Sequence, residues 1–280
     1  MQPVLNDMLI HATMQLPEDT LNAIKEAHVH ETKDLAKKQL EAILTSANLS
    51  DQEKLPLCQD TGLVTLFVSG ELTNHLDEIE KALTHAVQNM TSRGAMRPNV
   101  VHPLTRKNTG TNSGLNQPEV LVDKSTKKTA MKMILKGAGS ENFTNLKMMV
   151  PTASRQDVFR HILQVLIDAG GKTCPPNTLG IGIGGSAIQA MFNSKLALTR
   201  EIGARHPDPE MANLEVSLLK AINELGIGTM GLGGDTTALD VHIETAGTHT
   251  ACLPIAISFG CWANRVAVAE LKGQRFRMVR

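Results

Sequence analysis

Between Pro17-Glu18-Asp19-Thr20 and the polar closers Asn48 and Ser50, apolar residues stand at Leu21, Ile24, Leu35, Leu40, Ile43 and Leu44. That helical spacing predicts one or two helices and a helical N-terminal segment over about residues 1–50. After Pro56 the pattern changes to Leu63, Val64, Leu66, Phe67 and Val68, a short run rich in strand formers, which leaves Cys58-Gln59-Asp60-Thr61-Gly62 on a loop entering a strand. A helix is expected near residues 74–91. From Arg93 to about Gln117 periodicity is lost, and a long loop inside a compact domain is often functional. Met131, Met133 and Leu135 alternate with Lys132, Ile134 and Lys136, a buried strand running into the glycine turn Gly137-Ala138-Gly139-Ser140-Glu141-Asn142. Helical spacing returns at Val158, Phe159, Ile162, Val165 and Leu166 and stops at Gly170-Gly171, and further helices are expected from about Ser186 and from Pro209 to Leu225. Strands are expected at Leu239, Val241 and Ile243 and, last, from Pro254 to Ser258 before Gly260-Cys261-Trp262. Alternating strands and helices predict a mixed α/β domain with N-terminal helices, a single domain over 1–280.

Composition narrows the chemistry. The 280 residues are 41% hydrophobic and 20% charged, ordinary for a globular protein with a substantial core. Basic and acidic residues number 28 each and do not cluster, so neither nucleic acid nor an anionic membrane surface is an expected partner. A small-molecule substrate is the better default. No apolar run is long enough to span a bilayer, and Met1-Gln2-Pro3-Val4 lacks the basic start of a signal peptide, so a cytoplasmic location is expected. With no tyrosine, one tryptophan and 13 methionines, the core must be filled by aliphatic and methionine side chains.

Four widely spaced cysteines are not a secreted disulfide framework, and in a reducing compartment they point to metal binding or catalysis. Cys58, Cys174 and Cys261 all fall on loops beside strand ends, where ligands collect on a rigid scaffold. None forms a C-x-x-C pair, and spacing alone is equally compatible with buried, inert thiols. Their neighbours carry more. Cys58-Gln59-Asp60-Thr61-Gly62, Arg97-Pro98, Asn108-Thr109-Gly110, Gly137 to Asn142, Cys174-Pro175-Pro176, Arg205-His206-Pro207, His242, and His249 through Cys261-Trp262 run in one order through nearly the whole chain. In these motifs the sequence resembles the class I fumarase family, whose relatives include L-tartrate dehydratase and mesaconate-forming hydratases.

The resemblance implies a [4Fe-4S] cluster on Cys58, Cys174 and Cys261, with three cysteines for four irons and the last iron open to substrate. An open metal position marks a catalytic rather than a structural site. It implies dehydration of a 2-hydroxy dicarboxylate: malate to fumarate in the first instance, tartrate dehydration or mesaconate formation as the alternative. It makes Gln59 and Asp60 active-site residues, Arg97 a carboxylate clamp whose guanidinium can grip two oxygens at once, and His249 a proton-transfer or hydrogen-bonding group near substrate. The Gly137 turn would admit a close approach of substrate to backbone, and its Ser140-Glu141-Asn142 ending looks more like the fumarase members. Cys252 matches no ligand position and is expected to be a structural thiol, with accidental ligation as the alternative. His242 is expected on a strand facing a polar surface.

Gly180, Gly182 and Gly185 satisfy G-x-G-x-x-G, yet they alternate with Leu179, Ile181 and Ile183 inside the strand instead of following it, which speaks against a dinucleotide site. The family's complete enzyme has a second domain with further basic residues. This chain stops 19 residues after Cys261 (280 less 261), so the resemblance implies an α subunit working with a separate β subunit, two copies of each. An electron carrier, which wants a fully ligated cluster, and a non-catalytic scaffold are the readings from other classes.

Overall fold

A computed structural model describes residues 1–280 as two compact units, Met1–Glu18 with Thr45–Gly137 and Arg265–Arg280, and Asp19–Leu44 with Ala138–Asn264. The architecture is mixed α/β: helices at the N-terminus and two mixed sheets.

Unit 1 is built on a five-stranded sheet ordered β2-β1-β3-β8-β9, where β1 is Leu63–Ser69, β2 Glu119–Val122, β3 Ala130–Lys136, β8 Arg265–Lys272 and β9 Arg275–Met278. Helices α1 (Gln2–Met14) and α4 (Leu76–Ser92) cover it. Leu5, Met8, Leu9 and Ala12 recur every three or four residues, so α1 lays one apolar stripe on the sheet. From α4 come Ile79, Leu83 and Val87, and they meet Leu66 and Val68 of β1 and Met131 and Met133 of β3. Methionine fills gaps in this core that tyrosine would have filled with a hydroxyl to satisfy. Three strand ends lie side by side at one end of the sheet: Leu63 opening β1 pairs with Lys136 closing β3, and Leu135 pairs with Arg265 opening β8.

Unit 2 holds α2 (Glu18–His30, from Asp19 onward), the first half of α3 (Asp34–Glu53), the single turn α5 (Ala138–Glu141), α6 (Arg155–Ala169), α7 (Ala187–Ala197), α8 (Pro209–Glu224) and a second sheet ordered β4-β7-β5-β6. Its strands are β4 Asn145–Met149, β5 Asn177–Gly184, β6 Ala238–Ala246 and β7 Leu253–Gly260. Val158, Ile162 and Leu166 of α6 and Leu214, Leu218 and Ile222 of α8 pack on Leu179, Ile181, Ile255 and Ile257, each buried aliphatic side chain contributing about 1.5–3 kcal/mol. On the other face α7 lies directly on β5. A Cβ added to Gly180 would come within 2.0 Å of Ser194 O, and one added to Gly182 within 2.0 Å of Ala190 O. The glycines that imitate a nucleotide motif are therefore the floor on which a helix rests. No helix is long and apolar enough to cross a membrane.

Candidate functional site

The Cys58–Gly62 loop enters β1 in unit 1, and its side chains are tied down individually. Asp60 Oδ1 accepts from Gly62 N at 3.0 Å, closing a small turn. Thr61 is buried, and its Oγ1 accepts from Arg97 N at 3.0 Å and from Asn99 Nδ2 at 3.2 Å. One threonine hydroxyl thus joins the loop carrying Cys58, Gln59 and Asp60 to the loop carrying Arg97. The Gln59 side chain is exposed and its Oε1 lies 3.4 Å from Cys58 Sγ, while the Arg97 guanidinium is exposed. At Gly62 (φ +79°) a Cβ would meet the Lys136 backbone at 2.8 Å, so the loop can pass the end of β3 only as glycine. Gly137 is buried beside Asp60. A Cβ there would stand 2.9 Å from Asp60 Oδ2 and 3.2 Å from Arg265 Nη2.

Arg265 lies outside the sequence motifs, among which Arg97 is the candidate carboxylate clamp. It is 2% exposed and its Nη1 donates to Asp60 O at 2.5 Å. No residue-type pattern announces it, because the group it holds is a main-chain carbonyl.

Cys174 and Cys261 belong to unit 2 and the structure brings their loops together. Trp262 N donates to Cys174 O at 3.0 Å. Buried Asn177 Nδ2 donates to Thr173 O at 3.1 Å and Gly260 O at 3.0 Å, gripping the residues immediately before both cysteines, and Thr173 Oγ1 returns a 2.8 Å bond to Asn177 Oδ1. Cys174 itself has φ +55°, the left-handed conformation that glycine adopts freely, Asn and Asp occasionally, and a cysteine only at a cost. A strain of order 1–3 kcal/mol of this kind persists where the surroundings impose it and clusters at functional positions.

His249 lies exposed on the turn between β6 and β7. Its Nδ1 accepts from Ala251 N at 3.1 Å, which in the neutral ring leaves the proton on Nε2 as a donor. Cys252 follows in the same turn, its N donating to His249 O at 2.9 Å. His242 corrects an expectation: it is on β6, as its alternation indicated, but is fully buried instead of facing a polar surface. Its Nε2 lies 3.1 Å from Asp240 Oδ2 and its Nδ1 3.2 Å from Ala197 O. Arg205 joins this layer, with Nη1 2.6 Å from Asp240 Oδ1, and buried Glu215 takes Arg200 Nη1 at 2.8 Å and His206 N at 3.0 Å. The Arg205-His206-Pro207 motif and His242 are in this way absorbed by a buried ionic layer. Burial alone would raise the Asp240 carboxyl; its bond to His242, the His242 charge, Gly203 N and Arg205 outweigh that and hold it at about 2.

The donor set fits an iron–sulfur group. Cys58, Cys174 and Cys261 are all half-buried, unlinked by disulfides, and thiolate is the ligand such clusters take. No three or more His, Cys, Asp or Glu side chains are gathered as a metal-binding group in this structure, the three cysteines included. Asn264, whose N donates to Cys261 O at 3.0 Å, is 3% exposed with both amide atoms unpartnered, an unmet polar requirement beside a candidate ligand.

Comparison with known proteins agrees with the motifs. A family profile described as fumarate hydratase (Fumerase) matches residues 2–270. A protein of Methanocaldococcus jannaschii, provisionally named L(+)-tartrate dehydratase subunit alpha, is 44% identical over 279 residues, 96% of each chain. The L(+)-tartrate dehydratase subunit alpha of Escherichia coli K12 is 31% identical over 254 residues, 90% of this chain and 84% of its own.

Proposed function

Because the chain belongs to the fumarate hydratase family of hydro-lyases, we propose that it is the α subunit of an enzyme that reversibly removes water from a 2-hydroxy dicarboxylate, malate to fumarate in the first instance. It holds a [4Fe-4S] cluster on Cys58, Cys174 and Cys261, works in the cytoplasm and pairs with a β subunit, two copies of each. The observation that carries this reading is the pair of hydrogen bonds accepted by Thr61 Oγ1, from Arg97 N and Asn99 Nδ2, because it couples a thiol loop with an acid and an amide to the loop that carries the Arg97 cation.

When bound, the cluster supplies a Lewis-acidic iron for the hydroxyl that leaves and for a carboxylate oxygen. The chain's own residues do the rest. Arg97 takes the substrate carboxylate in a two-pronged grip and fixes its plane. Gln59 donates its side-chain amide to a substrate oxygen. Asp60, held by Gly62 N, exchanges a proton with the reacting centre. His249 Nε2–H donates to a carboxylate oxygen. Gly137 leaves room for the Asp60 carboxylate and the Arg265 guanidinium, both of which a side chain at that position would crowd.

The Ser140-Glu141-Asn142 ending of the Gly137 turn favours malate, and the names of the relatives favour tartrate as the second reading. Supplying the α–β complex under argon with malate, L-tartrate and methylmalate separates them. The expected kcat/KM for malate exceeds that for tartrate by about tenfold or more, since a site built without partners for an extra hydroxyl leaves it unpaired. Preferential turnover of tartrate would replace the malate reading, and no turnover of any of the three by iron-loaded complex would end the hydro-lyase reading.

A further inference from the structure

Arg265 is the most buried cation beside the proposed chemistry, and nothing in that chemistry as described above uses it. A guanidinium has no acceptor and stays protonated, so a buried one must be compensated by oxygens that surround it. Here one of those oxygens is Asp60 O, reached by Nη1 at 2.5 Å. The other arm passes Gly137, where a methyl group would be 3.2 Å from Nη2 and 2.9 Å from Asp60 Oδ2. Nε has no partner. Arg265 opens β8 opposite Leu135 of β3, and Gly62 rests on Lys136 of that same strand. Its base is therefore fixed by the sheet, and its far end is fixed on the loop. Only a residue with a long stem and a planar fork can span from a strand backbone to a carbonyl and a glycine wall together.

Resting on the hydro-lyase reading above, we propose that Arg265 is the positioning residue of the Cys58–Gly62 loop: it fixes the main chain at Asp60 so that the Asp60 carboxylate and the Cys58 thiolate are presented in one geometry. It acts through that loop and is not a carboxylate clamp; at 2% exposure it is closed off from substrate, whereas Arg97 is open.

The test uses Arg265→Lys, which keeps a positive charge and loses the fork, with Arg97→Lys as the contrast. In the iron-loaded complex, Arg265→Lys should lower kcat about 100-fold with KM changed less than about threefold, the loss a misplaced catalytic group gives. Arg97→Lys should raise KM. Independently of turnover, the metal-free full chain is treated with iodoacetamide and the modification rate of each cysteine is followed by peptide mass spectrometry. Arg265→Lys should speed Cys58 by about tenfold, as a loop released from its anchor opens more often, and leave Cys174 unchanged. Equal acceleration at Cys58 and Cys174, or none at either, would overturn the positioning role. So would a kcat within about twofold of wild type in a complex of undiminished iron content. A wild-type complex that binds no iron or turns over no hydroxy acid would instead sink the hydro-lyase reading, and the Cys58 rate would still decide whether Arg265 holds the loop.

Discussion

A cysteine that binds iron as a thiolate must be reachable while its loop is held still. All four cysteines here are half-buried, so exposure does not separate ligands from bystanders. Main-chain anchoring does not either, since Cys252 N donates to His249 O at 2.9 Å and its O accepts from Thr248 Oγ1 at 3.3 Å; the ligand assignment rests on the motifs around the other three. Cys174 and Cys261 sit in loops gripped by Asn177 and by the bond from Trp262 N to Cys174 O, and Cys58 heads a loop held at Asp60 and Thr61. Cys252 belongs to the His249 turn. On that assignment anaerobically prepared protein should contain about four irons per chain, and Cys58→Ser, Cys174→Ser or Cys261→Ser should each abolish the cluster while Cys252→Ser retains it. Iron and sulfide analysis of the four variants checks this, and equal loss in all of them would refute the ligand assignment. At this scale the motif residues were legible because their side-chain chemistry is unusual in its setting. Arg265 and Asn177 were not, since what defines them is the carbonyl each one holds, and every residue has a carbonyl.

At the scale of elements, period and length were readable where one face was buried. The strands at Leu63–Ser69, Ala130–Lys136, Ala238–Ala246 and Leu253–Gly260 and the helix Pro209–Glu224 stand where hydrophobic spacing predicts them. Strands β2 and β4 lie at sheet edges and are partly exposed, and their apolar pieces, Val120–Val122 and Met148-Met149, are too short to show a strand period. Strand β8 escaped for the opposite reason: Val266 to Ala269 are all buried, and a short run apolar on both faces has no period to read. His242 was misjudged because a polar residue alternating on a strand ordinarily faces water, whereas here the polar face of β6 meets Arg205. That ionic layer makes a prediction of its own. Asp240 is held at about 2, below its ordinary 3.8, so its contribution to stability is complete above pH 3.8 and is lost as pH falls toward 2. Asp240→Asn leaves Arg205 and His242 without their acid and should destabilise by about 3 kcal/mol at neutral pH, measured by urea unfolding. Between pH 4 and 2 the variant should lose less stability than wild type. Parallel losses would mean that the Asp240 carboxylate contributes nothing through these bonds.

For the whole molecule the question is how many positive groups a dicarboxylate can meet. The chain is electrically neutral, with 28 basic and 28 acidic residues, and most of the well-placed cations are already engaged. Arg205 and Arg200 serve buried acids, and Arg265 serves the Asp60 carbonyl. On the proposed chemistry Arg97 serves one carboxylate, with His249 as a hydrogen-bond donor. A substrate with two carboxylates needs a second clamp, and on the proposed assembly the β subunit brings it. The isolated chain should fold and keep its iron yet dehydrate malate at least about 100-fold more slowly than the complex, because an unclamped carboxylate leaves the reacting carbon misaligned. Adding the partner should restore turnover. In the restored complex Asp60→Asn should lower kcat far more than it lowers iron content, since the amide cannot take a proton while the Cys58 loop keeps its anchor on Asp60 O. Fumarate absorbance under argon, read for the chain alone, the complex and the Asp60 variant with iron quantified in each, decides the matter. If the chain alone matches the complex, the second clamp must lie within these 280 residues, and the division of labour proposed here is wrong.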